Sequence, residues 1–354
     1  MRNYILFAFL ILLSLSALVY CTQDNDDYLF IAFWNVENLF DTVDDPEKND
    51  DDFLPNGIYE WDQERLDQKM YNLARVIRSM NNNKAPDILG LCEVEHTYLL
   101  DSMANSFLYD FNYKSVGIES PDNRGIDNAL MYKSDKFKLL SVIGDTVKLS
   151  AGFPTRLILY VSLLSNFNDT LHIFVNHFPS RRGGQEESEI HRIETAQTLR
   201  DRIDRVFAIN PSAKIIVMGD FNDEPTNASI LNTLRAVPFK CELLLDGNFI
   251  EDDNSDLFNA SYEQYEAGVG TFLYRDKWDM LDQIIISKEL LAGNSLRYEC
   301  SSFEVYKPNF MVTQSGRFAG SPFPSYGGRR YLGGYSDHFA VTAKFKFIKM
   351  NNEK

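Results

Sequence analysis

The amino-acid sequence predicts an α/β sandwich, and three observations support this fold class. Short apolar runs rich in β-branched residues recur along the chain, helix-like segments separate only some of them, and the two kinds of segment do not alternate regularly enough for a doubly wound parallel sheet. Beyond the N-terminal segment, neither a low-complexity linker nor an internal repeat divides the chain. We therefore expect one large domain over residues 30–349.

The predicted strands are short apolar runs bounded by turn residues. In chain order they are Leu29–Trp34, Ile88–Glu93, Ala129–Tyr132, Leu157–Leu164, Leu171–Asn176, Lys214–Met218, Gln283–Ser287 and Ala340–Phe347. The predicted helices have apolar residues at intervals of three and four. They are Trp61–Met80, Tyr98–Ser106, Gln185–Phe207 and Ser229–Arg235.

Three segments between these elements are predicted to be loops. Asp41–Asp52 and Asp246–Asp256 are acidic, but both lack the ligand spacing and glycine placement of an EF-hand, so we expect solvated loops rather than Ca²⁺ sites. Ser315–Gly334 combines Gly, Pro, Arg and Tyr, which is typical of irregular structure. Long loops of this kind in compact domains are often functional.

The first 21 residues predict an export signal. One positive charge precedes the uncharged stretch Tyr4–Tyr20, and the chain turns acidic soon afterwards. A transmembrane anchor is the competing interpretation, but two serines interrupt the apolar run and favour cleavage. Cys21 is either the lipidated first residue of a lipoprotein or part of an ordinary signal-peptidase site, and residues 22–29 form a short tail. We expect a secreted, periplasmic or outer-membrane-anchored protein.

Composition limits the classes of function. The 354 residues include 35 Lys+Arg and 51 Asp+Glu, which gives a formal net charge of −16. An acidic chain is poorly suited to coat nucleic acid or anionic membrane, although a local basic patch remains compatible with it. After removal of the signal, three cysteines without CxxC spacing remain, so we expect neither a structural zinc site nor a disulfide framework, and at most one disulfide.

Polar side chains stand where the predicted strands begin or end. These residues are Asn35, Glu93, His177, Asp220, Asn222, Asp282, Asp337 and His338. Each alone fits a structural role, because Asp and Asn form turns and a single His beside a strand is commonly hydrogen-bonded. If the strand ends converge on one edge, however, the set assembles carboxylates, amides and two imidazoles around one site. Its oxygen ligands suit Mg²⁺, Mn²⁺ or Ca²⁺ rather than zinc.

Six ordered motifs resemble those of the endonuclease/exonuclease/phosphatase superfamily, which includes pancreatic deoxyribonuclease, abasic-site endonucleases, inositol polyphosphate phosphatases and neutral sphingomyelinases. They are Phe33-Trp34-Asn35-Val36-Glu37-Asn38, Gly90-Leu91-Cys92-Glu93, Asn176-His177, Gly219-Asp220-Phe221-Asn222, Leu281-Asp282-Gln283-Ile284 and Ser336-Asp337-His338. Variants such as Asn38-Leu39-Phe40-Asp41 and Asn123-Arg124-Gly125-Ile126-Asp127 resemble secreted Bacteroidetes members. Over residues 30–347 the resemblance implies a four-layer, deoxyribonuclease-like α/β sandwich, with two mixed β-sheets packed face to face and flanking helices.

The resemblance also implies a metal site. Glu93 would be the main ligand, with Asn35 beside it and Asp337 completing the shell directly or through water, because a divalent ion must neutralise phosphate oxygens and the developing leaving group. The implied ion is Mg²⁺, with Mn²⁺ or Ca²⁺ as alternatives. The sequence does not distinguish one ion from two.

The same resemblance implies catalytic roles. His338 would be the general base or an electrostatic partner, with Asp282 holding its other ring nitrogen. Asp220 would position or deprotonate the attacking water. Asn222 and His177 would donate hydrogen bonds to the non-bridging phosphate oxygens, where negative charge grows. Whether Asp220 or His338 takes the proton stays open.

Three arginines are the candidates for substrate-phosphate binding, because a guanidinium offers a planar fork of donors. They are Arg124, Arg181 and Arg182, of which the last two start an Arg-Arg-Gly-Gly loop whose alternative is a solvated turn.

The expected function is a secreted, monomeric, metal-dependent phosphodiesterase, specifically an endonuclease that hydrolyses nucleic acid or another phosphodiester by in-line attack of water. A lipid anchor through Cys21 is expected in the lipoprotein case. Asn222 is followed by Asp-Glu-Pro and not by the Tyr-Arg of inositol phosphatases, which disfavours that activity. The alternatives are a phosphoesterase for phospholipid head groups or small phosphate esters, and a non-catalytic binding module.

Overall fold

The computed structural model describes residues 28–242 and 255–348. The predicted export signal, Cys21 and residues 246–254 of the second acidic segment lie outside these ranges. No helix within them is long and apolar enough to cross a membrane.

The strands, in chain order, are β1 (Tyr28–Leu39), β2 (Ile88–Val94), β3 (Tyr113–Gly117), β4 (Asp127–Lys133), β5 (Phe137–Asp145), β6 (Ile158–Ser165), β7 (Thr170–His177), β8 (Lys214–Asp220), β9 (Ala236–Pro238), β10 (Leu257–Asn259), β11 (Phe272–Tyr274), β12 (Lys277–Asp279), β13 (Asp282–Ser287), β14 (Leu296–Tyr298), β15 (Glu304–Tyr306), β16 (Tyr326–Gly327), β17 (Arg330–Tyr331) and β18 (Ala340–Phe347). The α-helices are α1 (Gln63–Asn83), α2 (Thr97–Phe107), α3 (Gln185–Ile209), α4 (Tyr262–Glu266) and α5 (Lys288–Ala292). Short 3₁₀ turns cover Asp51–Phe53, Tyr109–Phe111 and Asn309–Met311.

Two seven-stranded sheets form the centre of the molecule. The first has the order β14-β18-β1-β2-β4-β3 with β15 also paired to β18, and the second has the order β5-β6-β7-β8-β13-β10-β9. Each sheet contains parallel pairs, such as β1 with β2 and β7 with β8, among antiparallel ones. The predicted sandwich of two mixed sheets is therefore confirmed.

Gly90 of β2 marks a point where the two sheets approach closely. A Cβ atom at this position would lie 2.5 Å from the sulfur of Met218 in β8 and 3.2 Å from the ring of Phe33. Interiors are close-packed, so a side chain would fit there only if the buried Met218 side chain of the opposite sheet moved. One apolar core runs through the interface and includes Leu91 and Ile216, both fully buried.

The long helices cover the outer faces of the sheets. In α1, Asp62 accepts a hydrogen bond from the backbone N–H of Arg65 and caps the helix, and apolar residues at helical spacing pack toward β1. In α3, Leu199 and Ile203 share a second core with the outward side of β7 and β8. The result is a four-layer arrangement, and both sheets are buried on two sides.

Several local predictions need correction. The predicted helix Ser229–Arg235 is a single π-helical segment, Ser229–Thr233, and the predicted irregular stretch after residue 315 contains the small hairpin β16–β17. Asp41 and Asp50 of the first acidic segment are buried, so this loop is not simply solvated. Cys241 and Cys300 form a disulfide and Cys92 is a buried free thiol, which agrees with the limit of one disulfide.

Candidate active site

The strand ends that carry the predicted polar residues meet at one edge. β7 and β8 run parallel and pair His177 with Asp220, while β13 runs antiparallel to β8 and pairs Asp282 with Asp220. In the second sheet, β7 and β8 therefore end at the edge where β13 begins. In the first sheet β1 and β2 end together, with Asn35 opposite Cys92.

The Asn35 side chain joins the two sheets at this edge. Its Nδ2 donates to Asp220 Oδ2 at 3.0 Å and lies 3.5 Å from Glu93 Oε1, and its Oδ1 accepts the backbone N–H of Glu37 at 3.0 Å. Glu93 Oε2 accepts the backbone N–H of Asn38 at 3.0 Å. Glu37, Asn38 and Glu93 all have positive φ values, between 52° and 62°. Strained backbone of this kind is often held at functional sites, because the surrounding structure over-determines it.

A buried acid–imidazole pair lies beside Asp220. Asp282 Oδ2 is 2.7 Å from His338 Nδ1, and His338 Nε2 is 3.9 Å from Asp220 Oδ2. One ligand-type atom from each of the three side chains lies within 4.8 Å of the other two. Burial alone would lower the pKa of His338, but Asp282, Asp220 and Asp337 together raise this pKa well above its usual value. We infer that His338 is an imidazolium.

His177 is the opposite case. Its Nε2 is 3.9 Å from Glu93 Oε1 and 3.8 Å from Asp220 Oδ2, while its Nδ1 is buried without a partner in the described part of the chain. Burial lowers the pKa of His177 well below its usual value, and the positive charges of Arg156 and Arg124 lower it further. We infer a neutral ring with its proton on Nε2, directed at the two carboxylates.

Asn222 is locked in place by its own backbone. Its N–H donates to Asp220 Oδ1 at 2.9 Å, its Nδ2 donates to the carbonyl oxygen of Phe178 at 3.0 Å, and its φ is 49°. One N–H of the amide is used by Phe178, which leaves the second for a ligand.

Carboxylates outnumber cations on the Glu93 side of the site. Burial raises the pKa of Asp337 to about 7, and Glu37 and Glu93 contribute to the rise. The buried ammonium of Lys69, 3.8 Å from Glu37 Oε2, is also hydrogen-bonded to Ser325 Oγ at 2.6 Å. Carboxylate oxygens with excess negative charge are the kind of ligand set that suits a divalent cation.

The three predicted phosphate-binding arginines differ in their surroundings. Arg181 donates from Nε to the carbonyl oxygen of Asn222 at 2.7 Å and lies 3.5 Å from Asp279, whereas its Nη2 is buried without a partner in the described ranges. Arg182 is exposed. Arg124 is half-exposed, 3.7 Å from Asp122, and close enough to lower the pKa of His177.

A pocket of about 920 Å³ opens beside these residues and was not predicted from the sequence. Arg181 and Arg182 line one wall, and the β11–β12 hairpin lines the other with Phe272, Tyr274 and Arg275. The Phe272 ring stacks on His338 with centroids 4.7 Å apart and on Tyr274 at 6.4 Å, so an aromatic row leads outward from the imidazolium. The hairpin strands are only three residues long, too short to give a periodic signal.

Glu37 and Lys69 were also missed as parts of the site. Glu37 stands within the first motif, so its position offered a signal, but Lys69 looks like an ordinary solvent-facing residue of a predicted helix. Only the packing of α1 against the loop before β18 reveals Lys69, through its contacts with Ser325 and the carbonyl oxygen of Tyr335.

Comparison with known proteins identifies relatives of this fold. Residues 30–347 match the family model described as the Endonuclease/Exonuclease/phosphatase family. A search of the curated proteins finds no match.

Solved structures with the same fold include three of different description. The human Nocturnin catalytic domain with bound sulfate is 17% identical, with a TM-score of 0.53 over 91% of this chain and 95% of that one. A mannosyl-6-phosphatase of Bacteroides thetaiotaomicron is 17% identical, with a TM-score of 0.55 over 91% and 100%. D. rerio TDP2 complexed with a single-strand DNA product is 14% identical, with a TM-score of 0.53 over 90% and 99%.

Proposed function

The chain belongs to the endonuclease/exonuclease/phosphatase family, and from this premise we propose that it is an exported, metal-dependent phosphodiesterase that acts as a nuclease. One observation carries the proposal: the Asp282–His338 pair lies next to Asp220 and also borders the pocket. The Phe272 ring that stacks on His338 lines this pocket together with Arg181 and Arg182. Chemistry and substrate binding would thus share one cleft.

Asp220 is the residue we assign to the attacking water. It is central, because its Oδ2 lies within 3.9 Å of the Nε2 atoms of both His177 and His338. Burial raises the pKa of Asp220, which makes the carboxylate a stronger base than a solvated one. His338, held as an imidazolium by Asp282, is the weaker proton acceptor of the two.

The remaining polar groups would stabilise the charge that develops on phosphorus oxygens. The His338 imidazolium, the Nε2–H of His177 and the free amide hydrogen of Asn222 are fixed donors in a buried site, where such donors act more strongly than in water. Neither histidine has to reorganise, because Asp282 fixes one ring and burial keeps the other neutral.

Glu93 and Asp337 would hold the divalent ion, for which we propose Mg²⁺. When bound, this ion supplies charge neutralisation at the phosphate. Asn35 ties Glu93 to Asp220, so the metal side and the water side of the site keep a fixed spacing.

Aromatic and basic residues in the pocket support a nucleic-acid strand as the substrate. Tyr274 is about half exposed, and the Cζ atom of the Arg275 guanidinium lies 5.1 Å from the centroid of its ring. A base can stack on such a surface while Arg182 and Lys277 contact neighbouring phosphates. The TDP2 structure with a single-strand DNA product is compatible with this substrate class.

A phosphomonoesterase is the second candidate, because a structure of the same fold is a mannosyl-6-phosphatase. A phospholipid substrate has less support. In the 318–335 segment Phe318 is exposed, whereas Tyr326 and Tyr331 are partly buried and pack against Tyr59 and Arg65. One exposed aromatic is a small membrane contact.

Export is supported by the disulfide between Cys241 and Cys300, because disulfides persist in oxidising compartments. The N-terminal signal and lipidation of Cys21 remain part of the proposal, as does a monomeric state. Mass spectrometry of the N-terminal peptide from the native protein would give the cleavage site and any attached lipid.

The experiment that tests the function is a hydrolysis panel with Mg²⁺, Mn²⁺ or Ca²⁺. It contains single-stranded DNA, supercoiled plasmid, RNA, bis-p-nitrophenyl phosphate, p-nitrophenyl phosphate and sphingomyelin vesicles, with Glu93→Gln and Asp220→Asn as inactive controls. Cleavage of nucleic acid and of the diester, lost in both variants, supports the proposal. Activity on the monoester or the lipid alone would mean that the enzyme is not a nuclease and acts on that substrate class instead. No activity with any of the ions would favour a non-catalytic binding module.

A further inference from the structure

Two buried polar side chains of α1 contact residues 325–335, which we call the anchored segment and which end two residues before Asp337. Lys69 Nζ donates to Ser325 Oγ at 2.6 Å and to the carbonyl oxygen of Tyr335 at 2.8 Å. One ammonium group therefore joins the first and the last residue of the anchored segment. Lys69 is 2% exposed, and a buried ammonium is costly unless it is paired and hydrogen-bonded, so these contacts hold it in one place.

Asn72 holds the last part of the anchored segment. Its Nδ2 donates to the carbonyl oxygens of Gly333 at 3.0 Å and Gly334 at 2.8 Å. Its Oδ1 accepts a hydrogen bond from Gln68 Nε2 at 2.9 Å, which fixes the orientation of the amide. Residues three apart on a helix are neighbours on one face, so Asn72 and Lys69 act on the anchored segment from the same side.

Glu37 supplies the negative charge opposite the buried ammonium. Its Oε2 lies 3.8 Å from Lys69 Nζ and accepts the backbone N–H of Ser325 at 2.7 Å. Its own backbone N–H donates to Asn35 Oδ1 at 3.0 Å. The Lys69–Glu37 pair therefore connects the anchored segment to β1 and to the metal side of the site.

Asp337 depends on its neighbours for its position. In the described ranges no hydrogen bond reaches its carboxylate. Ser336 Oγ donates to the carbonyl oxygen of Asn35 at 2.7 Å and accepts the backbone N–H of His338 at 3.0 Å. The backbone before Ser336 is held by the side chains of α1, so the contacts of the anchored segment set where Asp337 stands.

We propose that Lys69 and Asn72 are positioning residues for Asp337: they fix the anchored segment and so hold this carboxylate where a divalent cation can use it. The inference rests on the proposed metal site of Glu93 and Asp337, and neither positioning residue contacts substrate in it. Residues that support a metal ligand change metal affinity by about 10- to 100-fold when they are replaced. A role in packing α1 alone would change stability and leave metal affinity as it is.

The direction of the change separates positioning from electrostatics. Lys69→Met removes a positive charge from the metal side, so charge alone would tighten the binding of a divalent cation, whereas loss of positioning would weaken it. Combining Lys69→Met with Glu37→Gln removes both members of the ion pair, which leaves no uncompensated buried charge and favours folding. Asn72→Ala changes no charge at all, so its effect reports the lost hydrogen bonds.

Binding of Mn²⁺ to the full chain tests the inference without any substrate. Wild type, Asn72→Ala and the Lys69→Met/Glu37→Gln double variant are titrated with MnCl₂, and electron paramagnetic resonance measures the free ion. The binding that is lost in Glu93→Gln defines the site. We expect the Kd of this site to rise at least about ten-fold in both variants.

Hydrogen exchange measured by mass spectrometry gives a second readout. In the same two variants the backbone amides of residues 333–339 should exchange faster, because the anchors that hold this stretch are gone. Lys133→Met is the matched control for the lysine. Lys133 is also buried and donates to Asp87 at 3.0 Å, but it lies beside the start of β2, at the end remote from Glu93. It should leave both readouts unchanged.

Asn105→Ala, at an exposed asparagine of α2, is the control for Asn72. Unchanged Mn²⁺ affinity in folded Asn72→Ala and in the double variant, beside clear binding by the wild type, overturns this inference alone. An equal rise in Kd for Lys133→Met overturns it as well, because any broken buried ion pair would then suffice. A wild type that binds no Mn²⁺ contradicts the proposed function and this inference with it.

Discussion

Asp282 and His338 form a buried pair across the two sheets, with Oδ2 and Nδ1 2.7 Å apart. Asp282 begins β13 of the second sheet, and His338 lies two residues before β18 of the first. Sheet packing therefore sets the distance between them. Because neither residue is on a free loop, the orientation of the imidazolium depends on the rigid core and not on substrate.

Replacing Asp282 with Asn should disable catalysis with little effect on substrate binding. The amide keeps the shape but removes the negative charge that sustains the imidazolium, so we expect kcat to fall by about 10²–10⁴-fold. KM should change little. Steady-state kinetics on bis-p-nitrophenyl phosphate measure both constants, with the surface variant Asp110→Asn as control. Equal losses in kcat for both variants would contradict the assigned role.

Removing the proposed metal ligand should change the metal requirement. Glu93→Gln takes away a formal charge while preserving size, so it should be inactive at the Mg²⁺ concentration used for the wild type, and restoring turnover should require at least about ten-fold more Mg²⁺. EDTA should abolish activity of the wild type, and added Mg²⁺ should restore it. Wild-type turnover that persists after exhaustive chelation would exclude a metal-dependent reaction.

The hairpin pocket should matter for long substrates only. Tyr274→Ala removes a stacking surface worth about 1–3 kcal/mol per base, which corresponds to a rise in KM of about 5- to 150-fold for a single-stranded oligonucleotide. KM for bis-p-nitrophenyl phosphate should stay the same, since that ester does not reach the hairpin. Tyr109→Ala, at another exposed tyrosine, is the matched control. A parallel loss on both substrates would mean that Tyr274 supports the site structurally.

Asp127 should make folding stability depend on pH. Burial raises the pKa of Asp127 to about 8 in the folded protein, and the charge of Glu119 contributes to the rise. The unfolded chain loses this proton near pH 4, so the stabilising contribution is complete below that pH and is lost as the pH rises to about 8. Asp127→Asn keeps the acceptor for the Ser120 backbone N–H but cannot ionise, so it should gain about 1–3 kcal/mol over wild type at pH 8.5 and little at pH 4.

Urea unfolding of Asp127→Asn at both pH values measures this difference. Asp135→Asn, an exposed aspartate after the end of β4, serves as the control and should show no such pH-dependent gain. Equal stability of Asp127→Asn and wild type at pH 8.5 would show that burial does not raise the pKa of Asp127 in the folded protein.

A side chain at position 90 should compete with the Met218 side chain for space and destabilise the protein. Gly90→Ala brings a methyl group within 2.5 Å of the Met218 sulfur, and overpacking of this kind costs about 1–3 kcal/mol. Combining it with Met218→Ala should recover part of the loss, because the second change opens the space that the methyl group needs. Thermal unfolding of the two single variants and the double variant tests the coupling. If the losses of stability in the two single variants simply add in the double variant, the side chains at positions 90 and 218 do not compete for the same space.

The main elements of the fold were predictable because their signals are local. β2, β7, β8 and β18 agree with the predicted apolar runs to within two residues at each end. Burial on both faces makes β2 and β8 nearly continuous apolar runs, whereas β18 carries Lys344 and Lys346 among its apolar residues. β3 and β5 were missed because each has one half-exposed side and many polar residues. The helix bounds of α1 were close, although Met80, Asn81 and Asn82 depart from helical geometry at its end.

The sequence predicted which residues belong to the candidate site but not how their side chains contact one another. The predicted catalytic and metal-site residues lie in or within three residues of strands whose apolar runs the sequence reveals, whereas Arg124, Arg181 and Arg182 lie in loops. The partners of Arg181 could not be foreseen, because Asn222 and Asp279 lie 41 residues or more along the chain from it. The buried carboxylate of Asp50 looked like part of a solvated acidic run, because its burial is set by packing and not by the residues beside it in the sequence.

The sequence by itself determined the fold class, the family resemblance and the residues that carry chemistry, because periodicity and short motifs are properties of neighbouring residues. Only the tertiary structure decided that the rings of His338 and His177 differ in charge, which carboxylates lie close together, and where the pocket with aromatic residues opens. These features depend on contacts such as Asn35 with Asp220, 185 residues apart, and on burial. Burial and long-range contacts arise when the two sheets pack, and no local pattern encodes them.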